Sequence, residues 1–249
     1  MNIISVLNHK GGVGKTTTSA NLSAGLTSLG YRVLAIDIDG QANLTNSLGI
    51  GMKEENIYTS LKEQKKLPIY QNNEGINVVP STLDLQAAEL ELANEPGREL
   101  ILKRLLTPFK NDFDYIIIDC PPSLGILTLN ALTASQYIII PVEAETLALQ
   151  GMAKLLSVVN KVRNILNNNL SILGILVTKY DSRKSLNKSI LETIVKHFPK
   201  EVFNISIRDN VALAEAPSTG KDIFSYAPKS NGANDYMALC KEIINRIKI

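Results

Sequence analysis

The chain has 249 residues, with 26 Lys and Arg against 24 Asp and Glu for a net charge of +2, and 45% of its positions are hydrophobic. It is too apolar to stay disordered and long enough to bury a core without covalent staples. Two cysteines, Cys120 and Cys240, offer neither a disulfide framework nor a CxxC metal site within this chain, and no apolar run approaches the roughly 18 residues of a membrane span.

In chain order, the run Ile3–Leu7 reads as a first strand that passes directly into a glycine loop, without the charged, apolar and small-residue segments of a signal peptide. A cytoplasmic placement is therefore expected. A helix follows over Thr16–Leu29, then strands at Val33–Ile38 and Ile76–Val79, helices at Leu83–Ala93 and Glu99–Leu106, and strands at Tyr115–Ile118 and Tyr137–Val142. The remainder reads as a helix over Leu147–Leu166, a strand at Ile172–Val177, a helix over Ser185–His197, a weaker strand at Val202–Ile207 and a closing helix over Ala233–Ile247. Most of the strands are continuous β-branched runs, the pattern of strands buried on both faces. Their alternation with helices predicts an α/β fold, a mostly parallel twisted sheet with helices on both faces and ligands at the C-terminal strand ends. No repeat, low-complexity tract or linker divides the chain, so a single domain over residues 1–249 is expected.

The small net charge hides an asymmetry. Residues 1–150 carry 11 Lys and Arg against 16 Asp and Glu, whereas residues 151–249 carry 15 against 8. A basic C-terminal part is compatible with a face that meets phosphate backbones, and equally with a solvated surface.

The most informative segment is Lys10-Gly11-Gly12-Val13-Gly14-Lys15-Thr16-Thr17, between the first strand and the first helix. Glycines there let successive backbone N–H groups turn around an anion, and the helix N-terminus adds partial positive charge. Lys15 is placed for β- and γ-phosphates, and Thr16 offers a hydroxyl to Mg²⁺. The usual GxxxxGK[ST] spacing would begin with glycine at position 9, where this chain has His9 followed by Lys10, so a second lysine has entered the loop. A Mg-nucleotide site also needs strand-end carboxylates. Asp119 follows Ile116-Ile117-Ile118 as a Walker B aspartate does, and Asp39 ends Ile36-Asp37-Ile38-Asp39, where it can orient the attacking water and share the Mg²⁺ hydration shell. Without the loop, each aspartate would read as a helix cap. His9 and His197 read as a loop residue and a surface helix residue.

These residues resemble the ParA/Soj branch of the deviant-Walker P-loop ATPases, relatives of MinD. The likeness runs through NHKGGVGKTTTSANLSAGL, VLAIDIDGQANLTNSLGI, YIIIDCPPSLGILTLNAL, YIIIPVEAETLALQGM, VTKYDSR, NVALAEAPSTGK and GANDYMALCKEI. It implies a single-domain P-loop NTPase fold and an ATP- and Mg²⁺-dependent ATPase that dimerises around ATP. The loop Lys10, Gly11, Gly12, Val13, Gly14, Lys15, Thr16 and Thr17 would bind the nucleotide, and Thr16, Asp39 and Asp119 the metal. Lys10 would reach the partner's phosphates, Gly11 would lie at the dimer contact, and Arg208 and Asn210 would lie near adenine. The family's ATP-bound dimer binds double-stranded DNA without sequence preference and hydrolyses slowly until a ParB-like activator stimulates it.

Departures from the family pattern are specific. Gly40 stands where a proline is common, Arg208 where a proline lies near adenine, and Ala212 where an arginine is linked to DNA binding. Arg183 matches the other arginine of that face, and Lys184, Lys188 and Arg208 are the nearby cations that could complete it. The expectation is a DNA-partitioning ATPase for a plasmid or chromosome, with positioning of a protein cargo or MinD-like regulation as alternatives. A nitrogenase-type reductase would need cluster cysteines. The chain ends at Asn245–Ile249 without a basic amphipathic tail beyond its last helix, and the loop begins at Lys10 without a preceding helix-turn-helix, so neither membrane cycling nor operator recognition is expected.

Overall fold

Buried strand backbones must pair with one another, and these pair into one sheet. The computed structural model describes residues 1–145 and 148–248. Strands β1 (Asn2–Val6), β2 (Val33–Asp37), β3 (Tyr70–Gln71), β4 (Asn77–Val79), β5 (Tyr115–Asp119), β6 (Tyr137–Glu143) and β7 (Ser171–Thr178) lie in the order β3-β4-β2-β5-β1-β6-β7. All pairings are parallel except β3 with β4, the antiparallel edge. The mostly parallel sheet expected from the alternation is therefore present.

Around it stand α1 (Lys15–Ser28), α2 (Asn43–Ser47), α3 (Ile57–Glu63), α4 (Leu85–Glu91), α5 (Ile101–Leu106), α6 (Ile126–Ala134), α7 (Ala148–Ile165), α8 (Ser185–His197), α9 (Val211–Glu215), α10 (Ile223–Tyr226) and α11 (Asn231–Lys248). Successive strand residues face opposite sides, and each side has its own core. Ile116 and Ile118 of β5 pack with Leu61, Leu85, Leu102, Leu132 and Leu155 on one face. Ile117 packs with Leu22 and Leu26 of α1 and Tyr236, Leu239 and Ile243 of α11 on the other. Among the described residues, no helix is long and apolar enough to cross a membrane.

Three expectations need correction or limitation. The weak strand Val202–Ile207 does not form: it meets the sheet through isolated bridges, Ile175 to Val202 and Tyr180 to Arg208, and through the Ile207 N–H, which donates to the Val177 carbonyl at 2.8 Å. Phe203 lies where Gly174 leaves no room for a Cβ. Arg246 stacks 4.3 Å from the Phe203 ring centroid and donates to the carbonyls of Leu173 (2.8 Å) and Val202 (2.6 Å), so a side chain takes up carbonyls that a ladder would have used. Second, α6 forms where the sequence pattern predicts no helix: Leu127, Ala131, Leu132 and Ala134 are buried with little polar contrast around its axis, which removes the period that marks an amphipathic helix. The expected helix start at Leu147 and the terminal Ile249 lie outside the described residues.

Candidate active site

The loop between β1 and α1 is built from inside the sheet outward. Asn8, nearly buried, donates from Nδ2 to the Pro141 carbonyl at 2.7 Å and accepts the Lys10 N–H at 3.1 Å, tying the loop to β6. Gly12 and Gly14 have φ of 75° and 85°, the left-handed region where a side chain is strained. Gly14 caps α1 without a side-chain hydrogen bond, and the first turn carries no acid. The helix therefore presents open N–H groups and partial positive charge, the elements of an anion site.

Lys15 is only 7% exposed and donates from Nζ to the Lys10 carbonyl at 3.0 Å. Burial pushes its pKa down, opposed by Asp119 and Asp39. Thr16 Oγ1 donates to Asp119 Oδ2 at 2.7 Å, and Ser19 Oγ, on the same face of α1, donates to Oδ1 at 2.8 Å. Asp119 stands opposite Asp37 across β5 and β2. Burial, reinforced by the Asp37 charge, raises Asp119 to about 7, and burial raises Asp37 to about 6. Asp37 accepts from the N–H and hydroxyl of Thr45, both at 2.8 Å, and from the Asp39 N–H at 3.1 Å. Asp39 itself, 9% exposed, accepts the Gln41 N–H at 3.0 Å.

Thr16, Asp119 and Asp39 form an all-oxygen set, which suits a hard cation. Among the described residues, no group of three or more His, Cys, Asp or Glu could hold a metal ion. A cation here would need water or ligand oxygens in its shell, as Mg²⁺ does. The residues fit that ion.

Beside the loop opens a cleft of about 470 Å³ lined by Gly14, Thr17, Thr178, Arg208, Asn210 and Tyr236, among others. Thr178 donates to the Val13 carbonyl at 2.9 Å and fixes one wall. Asn210 Oδ1 accepts the Ala212 N–H at 2.9 Å and caps α9. The Arg208 guanidinium is forked on Asp235, with Nε to Oδ2 at 3.0 Å and Nη2 to Oδ1 at 2.6 Å.

The structure thus gathers Lys15, Thr16, Asp39 and Asp119 at the strand ends and Gly14, Thr17, Arg208 and Asn210 at the adjacent cleft. Lys10 is elsewhere: its Nζ pairs with Glu145, and that contact raises its pKa. Arg183 is highly exposed but forked on Asp181, with Nε and Nη2 at 2.9 and 2.8 Å, and the arginine holds that carboxyl well below its usual range. Lys184 stands at the N-terminal boundary of α8 without a side-chain capping bond, and Lys188 lies one turn on. Arg208 joins Arg183 around a second, polar basin of about 710 Å³. Ala212 is partly buried against the α11 core.

Ser19, Asp37, Glu145, Asp181 and Asp235 also contact these site residues and are not among those expected from the sequence. Ser19 was within reach, three residues after Thr16 on the same helix face. Asp37 was visible as a charge inside an apolar strand, whereas the other three become site neighbours only through the fold.

Comparison with known proteins fits this arrangement. A family model described as an AAA domain matches residues 1–172. The sporulation initiation inhibitor protein Soj of Bacillus subtilis is 47% identical over 97% of both chains. The chromosome partitioning protein ParA of Myxococcus xanthus is 43% identical over 98% of this chain and 88% of that one. Among solved structures, the cobyrinic acid a,c-diamide synthase of Mycobacterium smegmatis with bound ADP and magnesium superposes with a TM-score of 0.88 at 36% identity, covering 100% of this chain and 96% of that one.

Proposed function

Because the chain belongs to the ParA/Soj family of P-loop ATPases, we propose that it is a partition ATPase, acting as one domain over residues 1–249. It hydrolyses ATP to ADP and phosphate, dimerises with ATP bound, and holds nucleoid DNA in the cytoplasm until a ParB-like partner stimulates turnover. The observation that carries this reading is the near full-length likeness to chromosome-partitioning relatives, in a chain whose KGGVGKTT loop meets Asp119 through Thr16.

Each residue has a role in that reading. The N–H groups of Gly11–Gly14 and the start of α1 cradle the phosphates, and Lys15 exchanges the Lys10 carbonyl for phosphate oxygens. The Thr16 hydroxyl, Asp119 and Asp39 would hold Mg²⁺, which would supply charge neutralisation to the phosphates. Asp39 orients the attacking water. Lys10 leaves Glu145 and reaches the partner's phosphates, with Gly11 at the contact. Arg208 and Asn210 border the adenine side. Arg183, Lys184 and Lys188 meet DNA phosphates, with Arg208 beside them.

Titrating duplexes of unrelated sequence tests this. Binding should require ATP and be alike for all sequences, because phosphate contacts carry no base information. With three cations per protomer, a dimer makes about six phosphate contacts and should lose roughly 10³ in affinity between about 50 and 200 mM salt. Arg183→Glu should weaken binding and leave ATP-driven dimerisation intact. A dimer that forms normally but binds no DNA at low salt would replace this reading with positioning of a protein cargo on another matrix.

A further inference from the structure

Helix α4 touches both loops that carry the strand-end carboxylates. Its buried face, Leu85 and Ala88, is set in the core, so the helix is anchored. Gln86 and Glu89, three residues apart and therefore on one face, reach in two directions. A Cβ on buried Gly40 would come within 2.7 Å of Gln86 Cγ and 3.2 Å of the Gln86 backbone nitrogen. A Cβ on Gly125 would collide with the Glu89 carboxylate, which also accepts the Ser123 hydroxyl at 3.2 Å. Gly40 follows Asp39, and Ser123 and Gly125 lie in the segment from Asp119 to α6. Both loops are thus seated on one short helix: Gly40 packs closely against the Gln86 backbone and side chain, and Gly125 against the tip of the Glu89 side chain.

The contacts bear on the carboxylates because the loops are stiff. Asp39 is bonded within its own turn: the Gln41 N–H donates to its carboxylate, and the Ala42 N–H to its carbonyl at 2.9 Å. A shift at Gly40 therefore moves the Asp39 carboxylate with it. On the other side, Ser123 is fixed by the Thr128 hydroxyl, which donates to its carbonyl at 2.6 Å. The α6 N-terminus has no side-chain cap of its own, and the Glu89 carboxylate beside it supplies favourable negative charge.

We propose that α4 couples the two loops, with Gln86 and Glu89 as positioning residues that keep Asp39 and the Asp119 segment in register for hydrolysis. The inference rests on the ATPase reading. It locates control of turnover outside the phosphate cradle, on a helix whose residues are not among those lining the adenine-side cleft.

Turnover of Mg-ATP and affinity for a non-hydrolysable ATP analogue, measured side by side, test it. Gly40→Ala should lower kcat about tenfold, well inside the ~100-fold that a 1 Å misplacement costs, and leave analogue affinity within about twofold. In a Gln86→Ala background, the same Gly40→Ala change should cost no more than about threefold, because the clashing Cγ is gone. Glu89→Ala should also lower kcat about tenfold, and Glu89→Gln, which keeps an acceptor for Ser123, should recover most of it. If Gly40 and Gln86 effects multiply independently, or if Gln86→Ala and Glu89→Ala both turn over as wild type, the coupling is overturned; the latter pair decides the matter even where Gly40→Ala does not fold. A wild-type protein that binds and hydrolyses no ATP would overturn the ATPase reading instead.

Discussion

At the residue scale, the loop and the carboxylates divide binding from turnover. Lys15 is already desolvated, and its hydrogen bond in this structure goes to the Lys10 carbonyl, so little has to be undone when phosphate arrives. Lys15→Ala should lower ATP affinity by about 100-fold or more in calorimetry, the worth of about two charge-assisted hydrogen bonds. Asp39→Ala should keep analogue affinity within about threefold and lower kcat by about 100-fold, since it removes water positioning and leaves the cradle. Asp37 and Asp119 add a pH dependence. Burial raises them to about 6 and about 7, above the roughly 4 of an unfolded carboxyl. The folded state therefore binds their protons more tightly, and this stabilisation is present at low pH and lost as pH rises through those values. The Tm of nucleotide- and metal-free protein should fall between about pH 5 and 7, and Asp37→Asn should make that fall shallower. A Tm that rises across this window would show that burial does not govern these carboxyls.

At the element scale, β7 and the segment beside it show how packing overrides a local pattern. Val202–Ile207 has the composition of a strand, yet the Phe203 ring occupies the space over Gly174, and Arg246 from α11 binds the nearby carbonyls. Gly174→Ala should destabilise the protein by about 1–3 kcal/mol in urea unfolding, because the added methyl meets the Phe203 ring. Arrangements of this kind were not legible along the chain, since they depend on residues far apart in it, up to the 73 positions between Leu173 and Arg246. The glycine loop was legible, because strand, loop and helix are contiguous and the conformation of each glycine is a local property. Helix α6 falls between these cases: its residues form part of a contiguous motif, but burial on nearly every side erases its period.

At the scale of the whole molecule, the charge asymmetry acquires a location. Arg183, Lys184 and Lys188 stand at and after the β7 end, and Arg208 lies across a shared basin from Arg183. Asp181 and Asp235 engage the two arginines, so the basic excess of the C-terminal part overstates the free charge on this face. Lys10 is similarly occupied by Glu145 in the single chain. Its role in the proposed dimer is across the interface, and Lys15 remains to bind phosphate in cis. Lys10→Ala should therefore keep nucleotide affinity within about threefold, losing only a surface ion pair in the monomer, while abolishing the ATP-driven mass increase in light scattering. Dimerisation at wild-type strength would remove Lys10 from the interface.

What the sequence determined by itself is the part governed by short-range chemistry: a parallel α/β sheet from β-branched runs alternating with helical periods, and a phosphate-binding loop with a second lysine. Two strand-end aspartates, Asp39 and Asp119, followed from the same local logic. Tertiary structure alone decided which charges meet. Asp37 faces Asp119 because β2 and β5 are neighbours in a sheet order that the sequence does not spell out. Lys10 meets Glu145, Arg208 meets Asp235, and α4 reaches Gly40 and Gly125, because chain reversals bring distant segments together. The physical reason is one of range: dihedral preference and hydrophobic period act over a few residues, whereas electrostatic pairing and steric exclusion act through space.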